Sequence, residues 1–429
     1  MFRRCAAAMA AAVLGGFVVG AAIHLYPGAQ IQKRIGCWPK CRDARNFTVD
    51  LSDSGTTKEL RGQLSILLMM VYNPRSICRN GCSGQSRKLK GDPRLRVFRE
   101  VAYELHKRGH HVYTTPTEAG DRRLPESVYH YKNTKARTNY TRYDPTMVTN
   151  REQPHIDLAV LWSNADDYLH LPFPHLVYEN GLTKGSIIVD PRGLLGDSFY
   201  TKSLEELCGS DYDDNSCRTA TLHLQNTSKR PQVLIQDFPR SIISEYIFIA
   251  TQKFQDVSVQ KFSKIGYPEL INRTVHFAQN RNIPVVIKIH PHLVGVEREE
   301  QATFIRSMQV FYPRVYESNS SIVHLTKNAR FSVTLNGGTL FDNMVSETPV
   351  LSVARSMFMH TSAVCFDESL HRGLAKMLEI ETWPPSRQKK QRQIVCWYQK
   401  HSLSVFKTAN ENIEVLQWHM YMAKIRGRL

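Results

Sequence analysis

Apolar residues along this chain come in two textures. Short continuous runs, Leu64–Tyr72 (LSILLMMVY), Ile156–Trp162 (IDLAVLW) and Val285–His290 (VVIKIH), suit strands buried on both faces. Between Pro93 and Arg108 the apolar period is instead about 3.6, with Leu95, Phe98, Val101, Ala102 and Leu105 on one helical face. Gly109 ends that helix and His111–Thr115 resumes extended structure. Strand, helix, tight turn, strand is one β-α-β unit. A chain that repeats it belongs to the α/β class with parallel sheets.

Further strands are predicted at His175–Tyr178, Val233–Gln236, Ile322–Leu325, Phe331–Leu335 and Pro349–Val353. Helices are predicted over a stretch ending near Arg281, at Glu297–Gln309, Thr339–Ser346 and Leu370–Leu378, and within Lys390–Met422. Lys202–Lys229 is polar and reads as an excursion between two series of units. The expected organisation is two Rossmann-like domains, residues 63–228 and 229–429, the second also carrying terminal helices.

The N-terminus changes the picture. The first 42 residues hold six basic side chains and no acidic one, and Cys5–Tyr26 is an apolar run interrupted only by His24. Twenty-two residues at ~1.5 Å each span about 33 Å, close to the hydrocarbon thickness of a bilayer. This predicts a cytosolic tail (1–4), a single membrane anchor (5–26), a stem (27–62) and a lumenal body in the Golgi or endoplasmic reticulum. A cleaved secretory signal and a mitochondrial presequence are the alternatives. Eight of the nine cysteines fall in pairs, the near neighbours Cys37/Cys41, Cys78/Cys82 and Cys208/Cys217 and, further apart, Cys365/Cys396, as suits disulfides in an oxidising compartment. Five N-x-S/T sequons, at Asn46, Asn139, Asn226, Asn272 and Asn319, are compatible with glycosylation.

A hydrophobic content of 42% and 22% charged residues exclude a disordered or collagen-like chain and a polytopic membrane protein. The formal net charge of +17 points to an anionic ligand.

Three segments that follow strands could carry chemistry. Tyr178-Glu179-Asn180-Gly181, continuing to Asp190-Pro191-Arg192-Gly193, offers two carboxylates beside glycines, and sugar transfer needs a base for the acceptor proton. Lys288-Ile289-His290-Pro291-His292 places a cation and an imidazole on one side of a strand end, suited to phosphate oxygens. Thr334-Leu335-Asn336-Gly337-Gly338-Thr339 is a strand running through Gly-Gly into a helix, whose free amides make an anion site. A D-x-D at Asp211 and Asp213 reads as a solvated acidic loop, because no apolar strand precedes it.

In their order and spacing these segments resemble the bacterial capsule polysaccharide biosynthesis family of Kdo-transferase-like glycosyltransferases. The family's E-x-G segment with a following acidic residue, Gly and Ser is similar to Glu179-x-Gly181 through Asp190-x-x-Gly193 to Ser198. Its strand ending in Gln is similar to Val233–Gln236, and its His-Pro to His290-Pro291. Its final segment is similar to Thr339–Asp342 and Glu347–Val350. The resemblance covers roughly residues 150 to 355. Asp342 stands where the family usually has Glu, Asn343 replaces a small residue, and Glu347 replaces a Gly. The resemblance implies the GT-B architecture and a nucleotide-activated donor, CMP-linked to a Kdo-like acidic sugar.

The expectation is therefore a metal-independent GT-B glycosyltransferase of the secretory pathway, acting on a glycan or glycolipid acceptor, with the nucleotide-sugar as substrate and no cofactor. Lys288, His290, Pro291 and the Asn336-Gly337-Gly338-Thr339 turn would hold the nucleotide phosphate, and Asp342 or Glu347 its ribose. Glu179 or Asp190 would serve the reaction centre, with Gly181, Arg192 and Gln236 on the acceptor side of the cleft. One alternative is a lectin-like or polyanion-binding protein on the same fold. Another is a metal-dependent transferase using Asp211 and Asp213. No nucleic-acid partner is expected, since neither an aromatic-basic motif nor zinc-finger spacing occurs.

Overall fold

Ser65–Leu68 (β1), from the first apolar run, buries Ile66, Leu67 and Leu68 and lies inside a seven-stranded sheet. The computed structural model describes residues 63–68, 93–114, 129–130, 157–162, 174–209, 212–226, 239, 242, 245–291, 293–380 and 383–425, all within the unit Asp53–Leu429. Helix Pro93–Lys107 (α1) buries Val97, Phe98, Val101, Ala102 and Leu105, the face its period implies, and returns the chain to His111–Thr114 (β2). Tyr129–His130 (β3), Leu158–Trp162 (β4) and His175–Asn180 (β5) complete the parallel part of the sheet. Ser186–Asp190 (β6) then turns back antiparallel on β5, Glu179 opposite Ile188.

After two 3₁₀ turns (Leu195–Asp197 and Phe199–Lys202) come helices Leu204–Leu207 (α2) and Asp214–Asn226 (α3). The polar stretch read as an excursion is thus largely helical. Asp213, exposed as the solvated reading expects, accepts from the Ser216 N–H at 2.8 Å and caps α3. Asp211 lies outside the described residues.

The second sheet is parallel throughout, in the spatial order Cys365–Phe366, Val350–Ser352, Phe331–Thr334, Ile247–Ala250, Val285–Lys288, Val315–Glu317. Its strand Ile247–Ala250 (β7) was not predicted, while Val233–Gln236 lies outside the described residues. Helices Val257–Phe262 (α4) and Tyr267–Gln279 (α5) lead to Val285–Lys288 (β8), and Val296–Phe311 (α6) to Val315–Glu317 (β9). Ile322–Lys327 (α7) is a helix where a strand was expected: Ser321 Oγ accepts from the His324 N–H at 3.1 Å and nucleates the turn. Phe331–Thr334 (β10), Gly338–Val345 (α8), Val350–Ser352 (β11) and Cys365–Phe366 (β12) follow.

Leu370–Glu379 (α9) covers the second sheet, and Pro385–His401 (α10) packs on α8 and α3. Leu403–Ser404 (β13) then pairs antiparallel with β6, and Ala409–Ile425 (α11) lies on α1. Residues expected to close the second domain therefore finish the first sheet, where Leu403, Ile413, Val415 and Leu416 enter its core. Cys217 on α3 forms a disulfide with Cys396 on α10, while Cys208 and Cys365 are free thiols, so the pairs suggested by spacing do not form there. The other two pairs lie outside the described residues.

Among the described residues no helix is long and apolar enough to cross a membrane. The membrane-anchored placement with a lumenal body is corrected accordingly. The run Cys5–Tyr26 on which it rested, with the 1–4 tail and the 27–62 stem, lies outside the described residues.

Candidate active site

Because β7, β8, β10 and β11 are parallel neighbours, the segments that follow them emerge at one edge of the second sheet. Parallel sheets bind ligands beyond this carboxyl edge. At its middle, Gly337 takes φ +92°, and a Cβ there would lie 2.3 Å from Gln252 Nε2. Conformation and space both demand glycine at this turn. α8 begins at Gly338 with no side-chain cap, which leaves its first amides as donors at the positive end of the helix dipole.

Two acceptors border this turn. Asn336 is fully buried; its Nδ2 donates to the Ser258 carbonyl at 3.2 Å, and its Oδ1 has no partner among the described residues. Gln252 Oε1 is also buried, with no partner among the described residues. Leaving such atoms unmade costs about 1–3 kcal/mol each, unless a ligand donates to them.

The neighbouring strand ends are tied together. Gln301 accepts from Thr251 Oγ1 at 2.7 Å and donates to the Gln252 carbonyl at 2.7 Å. Thr251 Oγ1 in turn accepts from the His290 N–H at 3.2 Å. His290 is half-buried two strands from Gly337, about 10 Å at ordinary strand spacing.

The first sheet reaches this edge through the turn between β5 and β6. A Cβ on Gly181 would fall 2.0 Å from Ser186 Oγ, so glycine lets the turn close. Tyr398 Oη accepts from the Leu182 N–H at 2.5 Å and lies 3.2 Å from Ser186 Oγ, while its ring meets Phe341 of α8 at 4.8 Å between centroids. Leu182 Cδ2 lies 3.9 Å from where a Gly338 Cβ would stand. Glu179, half-buried, is three residues back along the same strand end, its carboxylate accepting from the Asn180 N–H at 3.0 Å. The turn that follows Glu179 thus approaches the start of α8 at Gly338, and Gly337 stands beside Gln252, which follows the Thr251 bonded to the His290 N–H.

Other candidates stand elsewhere. Asp190 is buried, and its carboxylate accepts from the N–H groups of Arg192, Gly193 and Phe199 and from Ser198 Oγ. Burial pushes its pKa up to about 6 against those bonds, which favour the ion. It folds the 191–199 loop and leaves Arg192 exposed. Lys288 Nζ donates to the carbonyls of Asn319 (3.2 Å) and Ser320 (2.7 Å). Glu347, past the end of α8 at φ +55°, accepts from Arg392 at 2.6 Å as its ion-pair partner. Asp342 sits half-buried one turn into α8, and Thr339 is buried beside its start. Pro291 is exposed next to His290, and Gln236 and His292 lie outside the described residues. Gln252 was missed; only the Thr-Gln after an unrecognised strand could have signalled it.

No protein-family model matches the chain, and no curated protein matches it. Among solved structures it is similar to KpsC, the β-Kdo 2,4-transferase of Thermosulfurimonas dismutans, at 12% identity over 61% of this chain and 87% of that one, with a TM-score of 0.40. The β-Kdo 2,7-transferase KpsC of the same organism gives 12% identity over 78% and 90%, with a TM-score of 0.41. The UDP-GlcNAc 2-epimerase of Methanocaldococcus jannaschii gives 12% over 79% and 99%, with a TM-score of 0.33. The Kdo-transferase likeness read from the motifs has counterparts among solved structures. At these scores it adds nothing to the reading of the site, which rests on its own residues.

Proposed function

We propose that this chain is a glycosyltransferase that binds a nucleotide-activated sugar at the carboxyl edge of the second sheet and delivers the sugar to a glycan hydroxyl presented by the first. The observation that carries this reading is the meeting of Leu182, from the turn that follows Glu179, with the uncapped start of α8 at Gly338. The amides of Gly338 and Thr339 suit phosphate oxygens, and Asn336 Oδ1 and Gln252 Oε1, with no partner among the described residues, suit hydroxyl donors of a sugar or ribose. A ligand that is anionic at one end and hydroxylated at the other satisfies both.

In the reaction the acceptor oxygen bonds to the anomeric carbon while the bond from that carbon to the phosphate oxygen breaks, the electron pair leaving with the nucleotide. Glu179 takes the acceptor proton, and His290 supports the departing phosphate. Asp342, half-buried one turn into α8, is the carboxylate nearest in sequence to the start of that helix and would accept from a ribose hydroxyl, and the motif resemblance points to a CMP-linked acidic sugar.

The test is donor turnover by Glu179→Gln and His290→Ala proteins. Each is expected to fold with an unchanged melting temperature and turn over at least ~100-fold more slowly, the scale of one lost base or charge-stabilising group. Near-normal turnover in both would remove the assignment.

A further inference from the structure

Lys288 was expected to supply the cation for the phosphate, yet its ammonium is held by backbone carbonyls. Other cations near the same edge are also engaged: Lys253 with Glu297, Lys261 with Asp197, Lys264 with Glu368 and Arg298 with Glu317. Arg355 differs. It is exposed and has no acidic partner among the described residues. Its guanidinium lies over the Phe262 ring at 5.5 Å, a contact that orients the side chain without neutralising it.

Its place follows from the sheet register. β10 and β11 pair with Thr334 opposite Ser352, and the ladder continues beyond them, the Val353 N–H donating to Thr334 O and the Ala354 N–H to Leu335 O. Arg355 therefore leaves the sheet beside Asn336 and Gly337, the residues that open α8. Its own N–H donates to Phe262 O at 3.0 Å, and a Cβ on Gly196 of the 191–199 loop would lie 2.7 Å from Arg355 Cβ. The backbone of this arginine is fixed by α4 on one side and by a loop from the first sheet on the other, where the two sheets meet.

We infer that Arg355 is a phosphate-binding residue of the site: with the amides of Gly338 and Thr339 it holds the nucleotide phosphate that is bonded to the sugar. This rests on the nucleotide-sugar reading above. A guanidinium offers two parallel N–H donors to a phosphate, and its charge meets the electron pair left on the phosphate oxygen as the sugar departs.

The test uses the full chain, titrated calorimetrically with CMP, UDP and GDP and with cytidine, uridine and guanosine. Arg355→Met keeps the stem against Gly196 and Phe262 and removes the charge; Arg355→Lys keeps the charge and loses the fork. For the nucleotide that the wild type binds, Arg355→Met is expected to weaken affinity at least ~10-fold and Arg355→Lys less, with affinity for the parent nucleoside unchanged. Equal weakening for nucleotide and nucleoside would make Arg355 structural. Unchanged nucleotide affinity in both variants would overturn its role and leave the nucleotide-sugar reading standing. A wild type that binds none of the three nucleotides would overturn both.

Discussion

Arg392 donates to Glu347 Oε2 at 2.6 Å while the same guanidinium grips both oxygens of Asp214, at 2.8 and 3.0 Å. The arginine is 7% exposed, so a single buried cation joins α10 to α3 and to the turn that ends α8. Removing it leaves two half-buried carboxylates facing each other. Arg392→Met is expected to lower unfolding stability by about 3 kcal/mol, read from urea denaturation at neutral pH. Glu347→Gln should leave nucleotide affinity unaltered, since Arg392 engages that carboxylate.

The two glycines that open α8 should answer differently to the same substitution. Gly337→Ala forces a Cβ into the left-handed region and 2.3 Å from Gln252 Nε2, which predicts a loss of roughly 2 kcal/mol together with weakened nucleotide binding. Gly338→Ala meets only Leu182 Cδ2, at 3.9 Å, and should be neutral to within about 0.5 kcal/mol. Thermal melts of the two proteins with and without nucleotide check both statements.

Acid should unfold the protein through a buried histidine pair. His419 Nε2 lies 2.7 Å from the His401 carbonyl and its Nδ1 lies 2.5 Å from Tyr200 Oη, and the His401 ring stacks on Trp418 at 3.7 Å. Burial pulls the His419 pKa down to about 4 and that of His401 well below its usual value. In the unfolded chain both take a proton near pH 6.5, so between there and about 4 the unfolded state binds more protons and stability falls as pH falls. For His419 alone the loss across that window is about 3 kcal/mol. Asp190, raised to about 6, contributes the opposite sign over part of this range. The comparison that isolates the histidine is therefore the slope of stability against pH in wild type and in His419→Gln, which should be the flatter of the two.

Reduction of the Cys217–Cys396 disulfide, which closes a loop of 179 residues, should cost about 2–4 kcal/mol. A lower melting temperature in reductant, absent from a Cys217→Ser/Cys396→Ser protein, is the expected outcome.

Much of the fold was legible because burial on both faces leaves few polar residues: VVIK at β8 and LAVLW at β4 have no other economical reading. Ile322–Leu325 was misread because four residues of mixed character fit a strand or a helix. The deciding contact is the hydroxyl of Ser321, which a periodicity count does not weigh. IFIA at β7 escaped because it is short and polar residues crowd both sides. At the site, Gly337 and His290 could be placed from the strands preceding them. The partners that occupy Lys288 and Glu347 could not, since Ser320 and Arg392 lie 32 and 45 positions away and meet them only in the folded chain.

The return of β13 and α11 to the first sheet has a consequence for biosynthesis. Ile187 has no edge partner until Leu403 has been translated and cleared the ribosome tunnel, and α1 lacks the helix that shields it until residue 425 has followed. The half of the molecule that is synthesised first is therefore completed last, and a premature stop near residue 400 should send the nascent protein to chaperones and proteases because of damage to its opening half.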